Sequence, residues 1–369
     1  MLDHEQILIR RGPRSGLPVI LALHSTALGP AAGGLRLWRY PDWRDGLADA
    51  LRLSAAMTLK FAAAGLAGGG GKTVVALPQG TRLDPARRRD VLYDVADVID
   101  SMGGVYAVGP DVGTAPADMA VIGEVTPHVF CKPEDLGGSG DSSPHTARGT
   151  LAALRAVGRR LYGDGDLEGR RMALIGLGHV GEHLARLLAA EGVELTVTDI
   201  DTAKRELAEE LGAAWRSPEE IVSADVDILI PAALGGVLTT RAVRDLRCRA
   251  VAGPANNQLD TPEVSELLHQ RGIVWIPDYI ASAGGVINAM TTELHGLGVD
   301  QALARVNAIE GTVADLLKTA DDLGVTPAQA GLEMARRRIR AAMPETLPRP
   351  HRGGAPSPAG AADGPAPFI

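Results

Sequence analysis

Aromatic residues are the scarcest class in this 369-residue chain, at 3%. Alanine, valine and leucine must therefore fill any core, and a 45% hydrophobic content supplies them. Cysteine is nearly absent. Cys131 and Cys248 are too few and too far apart for a disulfide scaffold or a cysteine-rich metal site, so no metal is expected and a reducing, cytoplasmic setting fits. Basic charge is not in excess either: 37 Lys and Arg against 45 Asp and Glu leave a formal −8. That balance lacks the electrostatic footprint of a nucleic-acid or anionic-membrane binder and leaves a small molecule as the expected partner. Long apolar runs are missing too. Arg10, Arg11 and Arg14 precede the apolar run 19–23 in the order of a secretion signal, but the run is too short and lacks a small-residue cleavage site, so it reads as a strand. No stretch is long enough to span a bilayer.

What is abundant is glycine, and it is concentrated where it matters. Four consecutive glycines, Gly68 to Gly71, separate Lys60 from Lys72. Such a run costs folding entropy at every position and is kept where backbone must approach a ligand closely. Residues 43–59 before it have helical periodicity and residues 73–77 after it are β-branched and apolar, so the unit reads as helix, glycine turn, strand. A phosphate-binding loop is excluded, because its earlier glycine would fall at Leu66 and its order is strand then helix. A flexible turn with two surface lysines is the plain alternative.

A second glycine-rich turn is expected at 26–34, a helix at 85–101, and a strand at 105–108 that ends in Gly109-Pro110-Asp111, which puts Asp111 at a strand end. Residues 135–144 have loop composition and mark a domain boundary. An amphipathic helix at 146–161 leads into the second domain. There a strand at 171–175, Gly176-Leu177-Gly178-His179-Val180-Gly181, a helix at 182–191 and a strand at 194–198 ending in Asp199 form the dinucleotide-binding signature with its context. Gly178 lets the helix N-terminus approach a pyrophosphate. Asp199 suits ribose hydroxyls and repels a 2′-phosphate, so NAD is expected over NADP, with Lys204 and Arg205 as a countervailing pair. His179 and His183 also fit an inverted zinc-protease pattern, but Gly181 of the nucleotide fingerprint occupies its middle and both histidines should be solvated.

Further strands at 226–230, 250–252 and 273–276 continue a doubly wound sheet, with the turns 254–258 and 277–288 at strand carboxyl ends. Helices are expected at 301–317 and 327–342. The fold class is thus α/β with two domains: residues 1–134 with a returning helix at 326–343, a Rossmann-type nucleotide domain at 135–325, and a disordered tail at 344–369 rich in Pro, Gly and Ala.

Two lysines about a glycine run, an Asp at a strand end and a nucleotide fold after a linker together resemble the glutamate/leucine/phenylalanine/valine dehydrogenase family. The stretches 28–34, 57–60, 62–66, 69–72, 111–114, 255–258 and 284–288 resemble its motifs, and the likeness spans about residues 20–340. It implies reversible oxidative deamination of an L-amino acid to a 2-oxo acid and ammonia. By motif position it assigns Lys72 and Asp111 to catalysis and Lys60 to the substrate α-carboxylate. Met57, Gly33, Gly34 and Asn257 join the substrate site, and Thr146, Ala255, Asn256 and Asn288 join the fingerprint residues at the cofactor. The family is commonly oligomeric through its first domain, so a homo-oligomer is expected.

Burial and a neighbouring cation, expected to be Lys60, would lower the Lys72 pKa and make it a base. Ala32 stands where the glutamate-specific branch carries a lysine, so glutamate should be a poor substrate. Ala32, Gly109, Val286 and Ala289 are the expected pocket walls. Small walls favour phenylalanine over leucine or valine. Two other readings stay open: a 2-hydroxy acid dehydrogenase, for which no histidine sits in a comparable motif, and a catalytically silent NAD- or amino-acid-binding sensor, which intact Lys60, Lys72 and Asp111 disfavour.

Overall fold

The structure, a computed structural model, describes residues 3–342 apart from Leu234. The tail expected at 344–369 lies outside these. Two sheets organise the chain. The first comprises β1 (Gln6–Arg11), β2 (Pro18–Ser25), β3 (Ala31–Tyr40), β4 (Gly69–Pro78) and β5 (Tyr106–Pro110) in the order β1-β2-β4-β3-β5. β4 runs antiparallel to β2 and parallel to β3, and β3 is parallel to β5. Helix α1 (Trp43–Ala64) packs on one face, and α2 (Pro85–Asp100) and α3 (Pro116–Gly123) complete this part.

A capping box between Asp42 and Asp45 starts α1, and Gly65 ends it at φ 66°. The helix runs five residues past its expected end. Its buried positions Ala50, Leu53, Ser54, Thr58 and Phe61 recur at helical spacing and set one face on the sheet. The glycine run is the main departure from expectation. Gly69 to Gly71 belong to β4 itself rather than to a turn, and Gly33 and Gly34 belong to β3. The cause is crowding: a Cβ on Gly70 would lie 2.2 Å from the backbone nitrogen of Thr58 in α1, and one on Gly33 would lie 1.8 Å from the carbonyl oxygen of Gly71. Removing side chains lets helix and strand touch backbone to backbone.

The second sheet is all parallel, in the order β11-β10-β9-β6-β7-β8. It is entered through α4 (Ser143–Tyr162), followed by β6 (Arg171–Ile175), α5 (His179–Ala190), β7 (Glu194–Thr198), α6 (Arg205–Glu210), β8 (Ala214–Trp215), α7 (Pro218–Ile221), β9 (Ile228–Pro231), α8 (Thr240–Asp245), β10 (Ala250–Val251), α9 (Glu263–Gln270) and β11 (Val274–Trp275). Both faces are covered, so β6 and β9 read as continuous apolar runs. The short helices α10 (Asp278–Ala281) and α11 (Gly284–Ala289) lead to a π-helical turn at Met290–Leu294. The helix expected at 301–317 is two, α12 (Val299–Asn307) and α13 (Ile309–Leu323), before α14 (Pro327–Ala342).

α14 returns to the first sheet's helix, where Arg338 donates to the carbonyls of Ala62 and Ala63 at the end of α1. The other connection is also tied down. One oxygen of Glu293 accepts from the backbone of Cys131 at 2.8 Å and of Ser139 at 2.9 Å, and Cys131 holds φ 56° to permit it. No helix among the described residues is long and apolar enough to cross a membrane.

Candidate active site

The cleft between the two sheets is where the chemistry-bearing side chains meet. β4 delivers Lys72 at 4% exposure. Its Nζ lies 2.9 Å from Oδ2 of Asp111, which follows β5, and Arg36 on β3 donates its Nε–H to the same oxygen at 2.8 Å. Burial opposes ionisation of Asp111, yet Lys72 and Arg36 outweigh it and hold this carboxyl down to about 2. For Lys72 burial dominates and lowers its pKa; Asp111 opposes and Arg36 assists burial, while Lys60, the expected neighbouring cation, lines the same cavity and feels the repulsion of Lys72.

Lys60 lies on α1, and its ammonium donates to Ser282 Oγ at 2.8 Å and Asn256 Oδ1 at 3.4 Å, both from the second sheet's side. Burial pulls its pKa down to about 8, against the pull of Asp278. Asp278 follows β11 as Asp111 follows β5. It accepts the backbone N–H groups of Asn257 and Tyr279, while burial pushes its pKa up. Asn257 sits at φ 56° in a turn braced by Gln258, whose side chain bonds Gly253 O at 2.7 Å and Trp275 Nε1 at 3.0 Å.

Arg36, Lys60, Lys72, Asp111, Asn256 and Asp278 line a cavity of about 150 Å³. Lys60, Met57, Ala56 and Leu53 reach it from one face of α1, at the i, i+3, i+4, i+7 spacing that brings helical side chains together. Gly33, Gly34, Asn257 and Val286 also line it, and no lining residue is a histidine. Three expected walls do not: Ala32 and Ala289 are each 1% exposed and buried in the core, and Gly109 is screened. A Cβ on Gly109 would come within 2.3 Å of the Phe130 ring, and Phe130 is what faces the cavity. Sequence reasoning missed Phe130, Arg36, Asp278 and Ser282. Arg36 carried a signal, since it stands two residues beyond Gly34 and must share its face of the strand.

A wider cavity of about 790 Å³ adjoins, with Arg36, Asp49 and Arg52 on one wall and Val180, Ala233, Ala255 and Asn256 on the other. Of the fingerprint residues, Val180 borders it. α5 begins at Gly178 with no side-chain cap, leaving its first N–H groups free, and nothing lies within 4 Å of a Cβ on Gly178. Gly176 turns at φ 102°, and Gly181 lies so close that a Cβ there would meet Gly176 O at 2.0 Å. A bare helix start of this kind can hold a pyrophosphate. Asp199 stands at its edge, taking Leu177 N–H on one oxygen at 2.6 Å and Asp201 N–H on the other at 2.8 Å. Lys204 bonds Glu182 at 3.1 Å, and Arg205 stacks on Trp215 at 5.3 Å, so both cations are engaged. His179 and His183 are exposed. Thr146 lies near the start of α4 against Gly285, and Asn288 is buried on α11.

Comparison with known proteins agrees with this geometry. The model described as Glu/Leu/Phe/Val dehydrogenase, dimerisation domain, matches residues 7–128, and that described as Glutamate/Leucine/Phenylalanine/Valine dehydrogenase matches 194–345. The chain belongs to this dehydrogenase family. It is 38% identical over 340 residues to a leucine dehydrogenase of Bacillus cereus, covering 91% of each chain. A valine dehydrogenase of Streptomyces coelicolor is 38% identical over 356 residues, with 94% of each covered. The solved L-tryptophan dehydrogenase of Nostoc punctiforme superposes with a TM-score of 0.77 at 34% identity, covering 92% of this chain and 97% of that one. The NAD binding domain of D-isomer specific 2-hydroxyacid dehydrogenases also matches, over 147–234. That match falls on the nucleotide-binding part and leaves out Lys60, Lys72 and Asp111. Membership in the amino-acid dehydrogenase family accounts for both.

Proposed function

We propose that this chain catalyses reversible, NAD-dependent oxidative deamination of an apolar L-amino acid to its 2-oxo acid and ammonia. The observation that carries the reading is the convergence of Lys60, Lys72 and Asp111 on one small cavity beside the nucleotide cradle. Lys60 holds the α-carboxylate. Asp111 receives the amino group, and Lys72, with its charged form disfavoured by burial, takes the proton of the water that attacks the imine. NAD, when bound, supplies the hydride acceptor. Asn257 braces the substrate end, and Ala255, Asn256, Thr146 and Asn288 lie on the cofactor side. The engagement of Lys204 and Arg205 by Glu182 and Trp215 leaves Asp199 to decide, which supports NAD over NADP.

The side-chain pocket is apolar, walled by Leu53, Ala56, Met57, Phe130 and Val286. Phe130 takes the room that Gly109 had suggested for an aromatic substrate. A branched aliphatic side chain is therefore the favoured occupant, in place of phenylalanine. The match of residues 7–128 to a dimerisation domain supports a homo-oligomer, and the two buried free cysteines support a reducing cytoplasm. The division into a substrate domain at 1–134 with a returning helix and a nucleotide domain at 135–325 is supported by the two sheets and by Arg338.

The deciding experiment is a panel of L-amino acids with NAD and NADP, followed by absorbance of the reduced cofactor. Leucine or valine should lead with NAD. Reduction by 2-hydroxy acids but no amino acid would overturn the reading.

A further inference from the structure

Arg36 has no part in the reaction as written, yet it is placed at its centre. It lines both cavities. Its Nε–H goes to Oδ2 of Asp111 at 2.8 Å and its Nη1–H to Oδ2 of Asp49 at 2.7 Å, and Asp49 is held in turn by Tyr40 Oη–H at 2.7 Å and by Arg52. Lys72 Nζ reaches the same Oδ2 of Asp111 at 2.9 Å. Two cations thus converge on one oxygen. Among the described residues, Oδ1 of Asp111 has no protein donor.

We propose that Arg36 is a positioning residue: it consumes Oδ2 of Asp111 together with Lys72 and so presents Oδ1 alone to the substrate's amino group. The proposal rests on the amino-acid dehydrogenase reading above. A guanidinium is needed because its planar fork bridges Asp111 and Asp49 at once, which a lysine ammonium at the end of a flexible stem does not reproduce. The arrangement also fixes a positive charge beside Lys72. The groups around Lys72 are Asp111 after β5, Tyr106 on β5, Arg36 on β3, and Asp49 and Lys60 on α1, with Asp278 of α10 beyond Lys60. β2 contributes His24, which bonds Thr58. Within this set Arg36 disfavours the lysine's charged form and weakens the pull of Asp111 on it, so losing Arg36 moves the Lys72 titration upward.

The test compares Arg36→Met, Arg36→Lys and Asp49→Asn with wild type, reading kcat and KM across pH. Independently of turnover, it reads the pH dependence of Lys72 labelling by an amine-reactive reagent, located by peptide mass spectrometry. Arg36→Met should lower kcat by roughly a hundredfold with KM changed less than about threefold, the scale of a misplaced acid–base group. Its acid-side limb and the Lys72 labelling midpoint should both move alkaline by about one unit. Arg36→Lys should restore the midpoint while recovering kcat only in part. A folded Arg36→Met with kcat and midpoint unmoved overturns the proposal. Should that variant not fold, Arg36→Lys with full wild-type kcat overturns it, and a reduced kcat at unchanged melting temperature in Arg36→Lys and Asp49→Asn upholds it. Wild-type inactivity toward every amino acid would sink the functional reading alone, since labelling still reports how Arg36 acts on Lys72.

Discussion

Truncating Phe130 to alanine is the sharpest probe of the side-chain pocket. The ring is 6% exposed and stands 2.3 Å from where a Gly109 Cβ would be, so it closes the pocket and fills the space over Gly109 together. Its removal should cost about 3 kcal/mol of stability, the low end for a buried phenylalanine because one side already borders a cavity. The space released admits a longer side chain. If phenylalanine buries a few more carbons than leucine there, each worth about 0.8 kcal/mol, the gain is about 2 kcal/mol, or roughly thirtyfold in relative kcat/KM. The assay is kcat/KM for L-phenylalanine and L-leucine with NAD, beside a thermal melt. A second variant makes the logic stricter. Gly109→Ala should cost about 1–3 kcal/mol when the ring is present and almost nothing in the Phe130→Ala background, so the pair should be strongly non-additive. Additive costs, together with a phenylalanine-to-leucine ratio within threefold of wild type, would refute this account of the pocket.

The remaining predictions concern chemistry and cofactor. Lys72→Ala and Asp111→Asn should each abolish turnover while NADH binding, measured by fluorescence, persists, because the nucleotide cradle is built from β6, α5 and β7; turnover within tenfold of wild type would remove the residue from the mechanism. Lys60 must be charged to hold a carboxylate, and burial has lowered its pKa to about 8, so it loses its proton as pH rises through that value. Substrate kcat/KM should therefore fall above about pH 8 even though Lys72 is increasingly neutral there, and a kcat/KM that still climbs to pH 10 would contradict the role of Lys60. Asp199→Ala should narrow an NAD preference of at least about tenfold over NADP, and an unchanged ratio would place discrimination elsewhere.

How much could be read in advance varied with the kind of information involved. β6 and β7 run over 171–175 and 194–198 as expected, because a buried parallel strand bounded by glycine and by an acidic residue leaves little ambiguity. The convergence of Lys60, Lys72 and Asp111 was legible through motif likeness. The glycine run misled, since composition cannot distinguish a glycine kept for a turn from one kept because another backbone occupies its Cβ position. Strand β1 went unseen because its exposed, arginine-rich pattern makes sense only once β2 pairs with it. Phe130 lay beyond reach for a similar reason. Its ring meets Gly109 through the pairing of Val108 with Val129, a contact that no local pattern encodes.

The bare stretches of β3 and β4 have a consequence for anyone who would redesign this enzyme. At Gly33, Gly69 and Gly70 a Cβ would meet a backbone atom at 1.8, 2.0 and 2.2 Å respectively. Every coding change at these positions adds a Cβ, and no neighbouring rotamer can move aside to admit it. A mutagenesis library that randomises them spends its members on dead sequences. The part of the site beside these glycines is closed to drift and to engineering alike, and new substrate preferences have to enter through the side chains opposite, at Leu53, Ala56, Phe130 and Val286.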